Sequence, residues 1–419
     1  MTAAEERPPP VRTLLALALG LALGAFLFEG VVRPVGGGFK GFIDFAPYYR
    51  GAVALRRGEN PYDLGTTDAI GRERRVPESE GFRYLYPPTF GLLAAPLGLL
   101  PYQAAKAVWF VLQLALVAGA ALLLPGAVVP RPGREDRLLV GFCFATFLPV
   151  LETIERGQVN LLLLFLLVLA LRDVETGRSL RAGLAVGLAT AIKGTPALLL
   201  PLFAVRRQWR AFAAGLASAS LLLAGGFAVA PPGSWESFRR LVLPWYARGH
   251  AWVANQSPQG FLLRLFLGST SEVSPDALDP ATGRAATIAR IVALLALAVT
   301  AIVVLRGRRA GLPLVYGLVL AAIPLATAIT WVHHLVLLLP AFAALFLVPR
   351  AKGSLDRPSL PGIAAFALVA LGLGYDHPAM RTPLLLPLVS TKLLGTILLW
   401  FLLLRAVLAS HRAAEDRFP

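Results

Sequence analysis

The chain has 419 residues, of which 56% are hydrophobic and only 15% charged, with a mean hydropathy of +0.66. Soluble globular proteins carry roughly 25% charged residues, and the apolar excess here is spread along nearly the whole length, which excludes a single soluble core. The formal net charge of +16 would suggest a nucleic-acid partner in a soluble protein. Here many arginines fall in short loops between apolar runs, where they set topology and meet anionic lipid, so no nucleic acid is expected.

Only helices and closed barrels satisfy their backbone in lipid. A barrel would alternate polar and apolar residues along each strand, whereas these runs are continuous and rich in Leu and Ala. The fold class is therefore an all-α polytopic membrane protein. Cys143, the single cysteine, lies inside an apolar run. It excludes an internal disulfide and a cysteine-rich metal site.

Arg7 and Arg12 precede the first apolar run, 12–32, in the manner of a signal peptide. No small-residue cleavage site follows, so an uncleaved first helix is expected. The polar region 33–101 comes next and reads as a large first external loop. It contains Gly41-Phe-Ile-Asp44-Phe-Ala-Pro-Tyr48-Tyr49, then Gly58-Glu-Asn60-Pro-Tyr62-Asp63, then Tyr84-Leu-Tyr86-Pro-Pro88.

Clusters of arginine at 131–137, 172–181, 206–210, 306–309 and 350–357 mark cytoplasmic loops. The loops near Gln158, Trp331 and Tyr375 are poor in cations and belong outside. With the N-terminus inside, 86–124 must cross once. Segment 86–100 then lies in or dips into the outer interface, and 102–124 is the second span.

The same parity rule makes 182–205 a hairpin of two short helices turning near Lys193-Gly-Thr-Pro196, since Gly and Pro favour turns. Further spans are expected at 138–151, 158–172, 211–230, 285–305, 311–330, 333–349, 359–374 and 391–408, about twelve in all. Residues 231–284 form a second external loop carrying Trp235, Trp245, Tyr246 and Trp252. Aromatics at that level suit a membrane-surface belt. The chain reads as one integral membrane domain, 1–419.

A few polar residues need a reason. Asp44 is the first acidic residue after the opening span once Glu29 inside that run is passed over. It is either a solvated loop or helix-capping carboxylate or a catalytic base. Gln158 and Asn160 open a span on the outer face, wetted at the interface or hydrogen-bonded to sugar hydroxyls. Lys193 lies within an apolar hairpin, where a lysine either snorkels or acts. Adjacent histidines, His333 and His334, point about 100° apart on a helix and make a poor chelating pair; one of them reaching a phosphate is the functional reading. P-loop and Gly-x-Ser-x-Gly signatures are absent, and Gly36-Gly-Gly38 lacks the helix pattern of a nucleotide-binding turn and reads as a flexible linker.

The ordered set Asp44, Tyr48-Tyr49, Gly58-x-Asn60-Pro61-Tyr62, Tyr84-x-Tyr86-Pro87-Pro88, Trp109, Gly157-Gln158-x-Asn160, Lys193, Asn255-Gln256-Ser257 and His333-His334 resembles glycosyltransferase family 87. The resemblance covers roughly residues 40–340. It implies the GT-C fold and a first external loop bearing an essential aspartate, which falls on Asp44. It also implies a polyprenyl-phosphate-sugar donor, transfer of a mannose-like or arabinofuranose-like sugar to a lipid-linked or envelope glycan acceptor, and inversion at the anomeric carbon. Donor or acceptor binding is then expected of Tyr48, Tyr49, Asn60, Tyr62, Tyr86, Gln158, Asn160, Lys193, Asn255 and Gln256. His333, His334, Arg83 and Arg264 are candidates for the leaving phosphate.

Some GT-C enzymes carry a second acidic residue beside the first and use a divalent metal. Ile43 and Phe45 flank Asp44, so neither a metal nor another cofactor is expected. The expected location is a bacterial inner membrane, with the site on the extracytoplasmic side. The competing reading is a transporter or lipid flippase, which broken helices and a membrane lysine also suit; such proteins show two related halves, and no internal repeat is evident.

Overall fold

A computed structural model of the chain describes residues 11–38, 41–76, 82–268, 280–351, 359–372, 385 and 388–415. The external loop expected near Tyr375, the cations Lys352 and Arg357, and Arg7 lie outside the described residues.

The described chain is helical throughout, with one isolated antiparallel bridge between Asn255 and Trp331. Among the described residues, six helices are long and apolar enough to cross a membrane: Thr13–Gly36, Tyr102–Val128, Trp209–Val229, Pro280–Arg306, Val332–Pro349 and Leu388–His411. A seventh candidate is the pair Arg134–Thr146 and Leu148–Arg156, bent by 52°, with Pro149 at the start of its second half. The chain is thus a multi-pass helical membrane protein.

The remaining apolar helices are short: Pro88–Leu99, Ser179–Ile192, Thr195–Val205, Leu312–Ala326 and Leu360–Ala370. Several expected spans are therefore realised as short or broken pieces. The breaks follow the chain's punctuation. Helix Ser179–Ile192 stops at Lys193-Gly194, and a 3-10 turn with proline at its start, Thr195–Leu199, resumes the path. The expected hairpin break is thus present.

Leucines on the outer faces of the long helices are widely exposed: Leu21 by 79%, Leu122 by 74% and Leu221 by 73%. Apolar exposure on that scale marks contact with lipid rather than water. Inside, small residues allow close helix approach. A Cβ at Gly183 would run into the carbonyl of Ala211, and one at Gly187 into Ser218 and the Gly215 carbonyl. This packing of Ser179–Ile192 against Trp209–Val229 fixes where Lys193 emerges.

The polar region 33–101 is folded where it is described. It holds the helices Phe45–Arg56, Leu64–Glu73 and Pro88–Ala94 and a 3-10 turn, Ala95–Leu99. Arg50, 1% exposed, pairs with Asp68 and with the Phe82 carbonyl, tying the loop to itself. Phe45, Tyr48, Tyr49, Phe90, Tyr102 and Trp109 pack ring against ring beneath it. Such pairs contribute about 0.5–1.5 kcal/mol each beyond their buried area.

Candidate active site

Asp44 occupies the N-cap position of helix Phe45–Arg56, yet its side chain makes no capping bond. The capping explanation for this carboxylate therefore does not hold. Its backbone N–H donates to the Arg156 carbonyl at 3.1 Å, which joins the first loop to the turn 153–158.

That turn needs its glycine. Gly157 has φ +69°, and a Cβ there would lie 2.8 Å from both Phe42 and Phe45. The turn is supported from the helix Tyr102–Val128. Trp109 Nε1 donates to the Gly157 carbonyl at 2.8 Å, and Gln113 Nε2 donates to the carbonyls of Thr153 and Gln158 at 3.0 and 2.9 Å.

Gln158 is the pivot. Its Oε1 accepts from the Tyr48 hydroxyl at 2.6 Å and the Tyr86 hydroxyl at 3.2 Å. Those bonds fix the amide, which helps to favour the charged form of the nearby Asp44 carboxyl. The second carboxylate oxygen, Oδ2, is buried and lacks a hydrogen-bond partner. Its nearest cation is Arg156, at 3.9 Å. Burial pushes the Asp44 carboxyl above the ordinary carboxylate range, and Arg156, the Gln158 hydrogen bond and Lys193 partly oppose it. A raised, half-solvated carboxylate with an unengaged oxygen is suited to accept a proton.

Lys193 lies on the other side of Tyr86, 6.0 Å from the centre of its ring. Its ammonium donates to Asn160 Oδ1 at 3.1 Å and stands 2.8 Å from His334 Nε2. The Trp331 N–H meets the other ring nitrogen, Nδ1, at 3.3 Å. A neutral imidazole carries one N–H; with it on Nδ1, Nε2 accepts from the Lys193 ammonium. An ammonium has three donors, so one remains beyond Asn160 and His334 for an anion. Asn160 Nδ2 in turn donates to the His333 carbonyl at 3.2 Å. His333 contributes its carbonyl to this arrangement, and its side chain is 4% exposed.

Lys193, His334, Tyr86 and Tyr246, with Thr190, Thr195, Thr327 and Thr330, form the polar part of a cavity of about 750 Å³. The rest of its wall is mainly apolar and includes Leu223, Ala224, Phe227, Phe238, Leu320 and Ile323. The volume falls within the range of roughly 300–1,000 Å³ usual for small-molecule sites. Asp44 is joined to this cavity through Gln158, Tyr48 and Tyr86.

The structure thus brings Asp44, Tyr48, Tyr86, Gln158, Asn160, Lys193 and His334 together. Other candidates have supporting places. Tyr49 donates to the Leu100 carbonyl, and Tyr62 to that of Tyr86. Asn60 reaches Ser237 and so ties the two external loops. Arg83 is exposed.

Arg264 is buried. Its Nη1 lies within hydrogen-bond distance of the carbonyls of Ala251, Trp252 and Asn255, and its Nη2 donates to Ser390. It pins a loop rather than facing the cavity. Asn255 accepts from the Thr330 N–H and donates to the carbonyls of His250 and Ala328, and Gln256 donates to Val253 and Val389. The motif Asn255-Gln-Ser257 is a clasp between the second loop and residues 328–331. Sequence reasoning missed Arg156, whose guanidinium lies 3.9 Å from Asp44 Oδ2 and 5.7 Å from the ring centre of Trp252. Arg156 directly precedes the turn Gly157-Gln158 on a face otherwise poor in cations, which was a usable signal.

Residues 84–329 match the model of glycosyltransferase family 87. The match takes in Tyr86, Gln158, Asn160 and Lys193 and begins downstream of Asp44. The chain is 29% identical over 352 residues to a polyprenol-phosphate-mannose-dependent alpha-(1-2)-phosphatidylinositol mannoside mannosyltransferase of Mycobacterium tuberculosis, covering 80% of this chain and 78% of that protein. It is 28% identical over 335 residues to a polyprenol-phosphate-mannose-dependent alpha-(1-2)-phosphatidylinositol pentamannoside mannosyltransferase of Mycolicibacterium smegmatis, covering 79% and 75%. It is also 32% identical over 217 residues to an alpha-(1->3)-arabinofuranosyltransferase of Mycobacterium tuberculosis, covering 50% and 46%. With the family model spanning more than half of an all-helical membrane chain, this protein belongs to glycosyltransferase family 87 and is a membrane glycosyltransferase.

Proposed function

We propose that the chain transfers a mannose-like sugar from a polyprenyl-phosphate donor to a hydroxyl of a lipid-linked or envelope glycan, with Asp44 as general base. The observation that carries this reading is the juxtaposition of a carboxylate with one unengaged oxygen and an apolar cavity whose polar part, Lys193 and His334, has donors to spare. The apolar wall suits a prenyl chain, and the donor-rich part suits its phosphate. The relatives that depend on polyprenol-phosphate-mannose support the donor class, and their mannoside acceptors support a carbohydrate nucleophile.

Asp44 takes the proton of the acceptor hydroxyl as that oxygen bonds to the anomeric carbon. The bond from that carbon to the phosphate oxygen breaks, its electron pair stays with the leaving polyprenyl phosphate, and Lys193 and His334 stabilise the growing charge. Attack opposite the leaving group inverts the anomeric centre. The family membership supports a GT-C arrangement in a bacterial inner membrane, and the arginine clusters support about twelve crossings, some of them the short helices, with this site on the extracytoplasmic face.

The test is Asp44→Asn in the purified chain. It keeps size and hydrogen bonding but removes the base, and transfer falls by about 10²–10⁴-fold. Because burial already disfavours the ionised carboxyl in the folded protein, the variant melts no lower than wild type. Near-wild-type transfer by Asp44→Asn refutes the assignment.

A further inference from the structure

The donor half of the reaction occupies one side of Asp44, where Gln158, Tyr48 and Tyr86 lead to the cavity and Lys193. Outside the cavity wall, groups that this half-reaction does not use also gather near Asp44. Arg156 lies 3.9 Å from Asp44 Oδ2 and 3.9 Å from Glu152, both beyond hydrogen-bond distance. Its guanidinium carbon is 5.7 Å from the ring centre of Trp252. That indole is 36% exposed and stands against Trp331, with ring centres 5.5 Å apart. From Trp331 the rings continue through His250 and Trp245 to Tyr246, at spacings of 5.5, 5.0 and 5.1 Å. Tyr246 is a wall residue of the donor cavity. An arc of aromatic side chains thus runs from the cavity round to Asp44.

We infer that Trp252 and Arg156 form the acceptor subsite and bind a sugar ring that carries the attacking hydroxyl. The inference rests on the transferase reading above. Inverting displacement requires the nucleophile to approach from the side opposite the leaving phosphate. Arg156 and Trp252 stand beside Asp44 but outside the wall of the donor cavity, which leaves them to receive the nucleophile.

The chemistry of the pair suits a sugar. An indole presents a broad apolar face to the C–H face of a pyranose or furanose. A planar guanidinium donates in parallel to two neighbouring oxygens, as vicinal hydroxyls require. Arg264 fixes the platform, because its guanidinium holds the Trp252 carbonyl itself. Trp252 is thereby set into the site, whereas an indole serving only to anchor the protein in a membrane surface would need neither Arg156 nor this pinning.

The experiment uses the full chain in lipid nanodiscs, with a polyprenyl-phosphate sugar as donor. The acceptor is a glycolipid extract from cells deleted for this chain, in which unmodified acceptor accumulates. Trp252→Ala raises the half-saturating amount of extract about tenfold, the loss expected of one aromatic anchor, while half-saturation by donor stays at the wild-type value. Trp252→Phe retains most of the acceptor affinity and guards against misfolding of the alanine variant. Wild-type half-saturation by extract in both variants overturns the subsite and returns Trp252 to a membrane-surface role. An equal rise for donor and acceptor overturns it too. The transferase reading fails separately, through an active Asp44→Asn.

Discussion

Replacing Arg156 by glutamine tests the electrostatics of the site most directly. The guanidinium stands 3.9 Å from Asp44 Oδ2, and the two side chains are 22% and 24% exposed. Two unit charges at that distance interact by about 1 kcal/mol in water and about 4 kcal/mol at the effective dielectric of a partly buried pair. Glu152 shares the same guanidinium at 3.9 Å, and Lys193 remains as a second cation near Asp44, which places the loss toward the lower end of that range. Burial raises the Asp44 carboxyl and Arg156 pulls it back. The base acts when ionised, so activity is present above its titration and is lost as pH falls through it. Removing Arg156 therefore moves the acid limb of log kcat/KM to higher pH, by about one unit, since roughly 1.4 kcal/mol corresponds to one unit. Tyr48, Tyr86 and Tyr246 also face Asp44, but burial pushes these phenols above the ordinary phenol range and they leave the acid limb alone. The assay is transfer of radiolabelled sugar at donor and acceptor concentrations well below saturation, from pH 4.5 to about 9, the interval that brackets the carboxylates and stays below the phenols. An acid limb at the wild-type position in Arg156→Gln, or one moved to lower pH, refutes the coupling.

The other predictions concern the donor and the scaffold. Lys193→Met removes the cation beside His334 and lowers kcat by about 10²-fold, the scale for losing one preorganised donor to a developing anion; steady-state kinetics with saturating donor decides it. Ala224→Trp places an indole in the cavity wall. It raises KM for a long-chain polyprenyl-phosphate donor far more than for a short-chain analogue, and equal effects on both would remove the prenyl assignment. Gly157→Ala forces φ +69° on alanine and drives its Cβ toward Phe42 and Phe45. It destabilises by about 1–3 kcal/mol, read as a lowered melting temperature in detergent together with lost transfer.

Much of the architecture was legible because the membrane imposes it. Continuous Leu- and Ala-rich runs could only be helices, and the arginine clusters marked the breaks between them. The hairpin at Lys193 came from parity and from Gly194 and Pro196, and the chain does break there. Span lengths were less legible, because proline and glycine shorten helices within runs that read as continuous. Leu312–Ala326, with Pro324 inside it, stops short of the expected 330. The role of Asn255 and Gln256 was not legible at all. Amides suit sugars and backbone equally well, and only the fold shows that their partners are carbonyls and N–H groups of residues 328–331, Val253 and Val389. Arg264 was misread for a related reason. A cation in an external loop is as able to hold carbonyl oxygens as phosphate oxygens, and burial decides between them.

The alternative of a transporter can be weighed against the same geometry. A transporter must release its cargo on both sides, so its polar contacts have to be weak and exchangeable. Here Asp44 is fixed by bonds that run through three separate elements. Its backbone is tied to Arg156, and the neighbouring Gln158 to Tyr48 and Tyr86. The turn below is braced from a long apolar helix by Trp109 and Gln113. That degree of fixation suits a reaction, where a displaced catalytic group costs rate, and it gives no help to a moving gate. The apolar cavity and the wetter Trp252–Arg156 face then divide the work. On the proposed reading the cavity takes the prenyl chain, the Trp252–Arg156 face takes the sugar, and Asp44 acts between them.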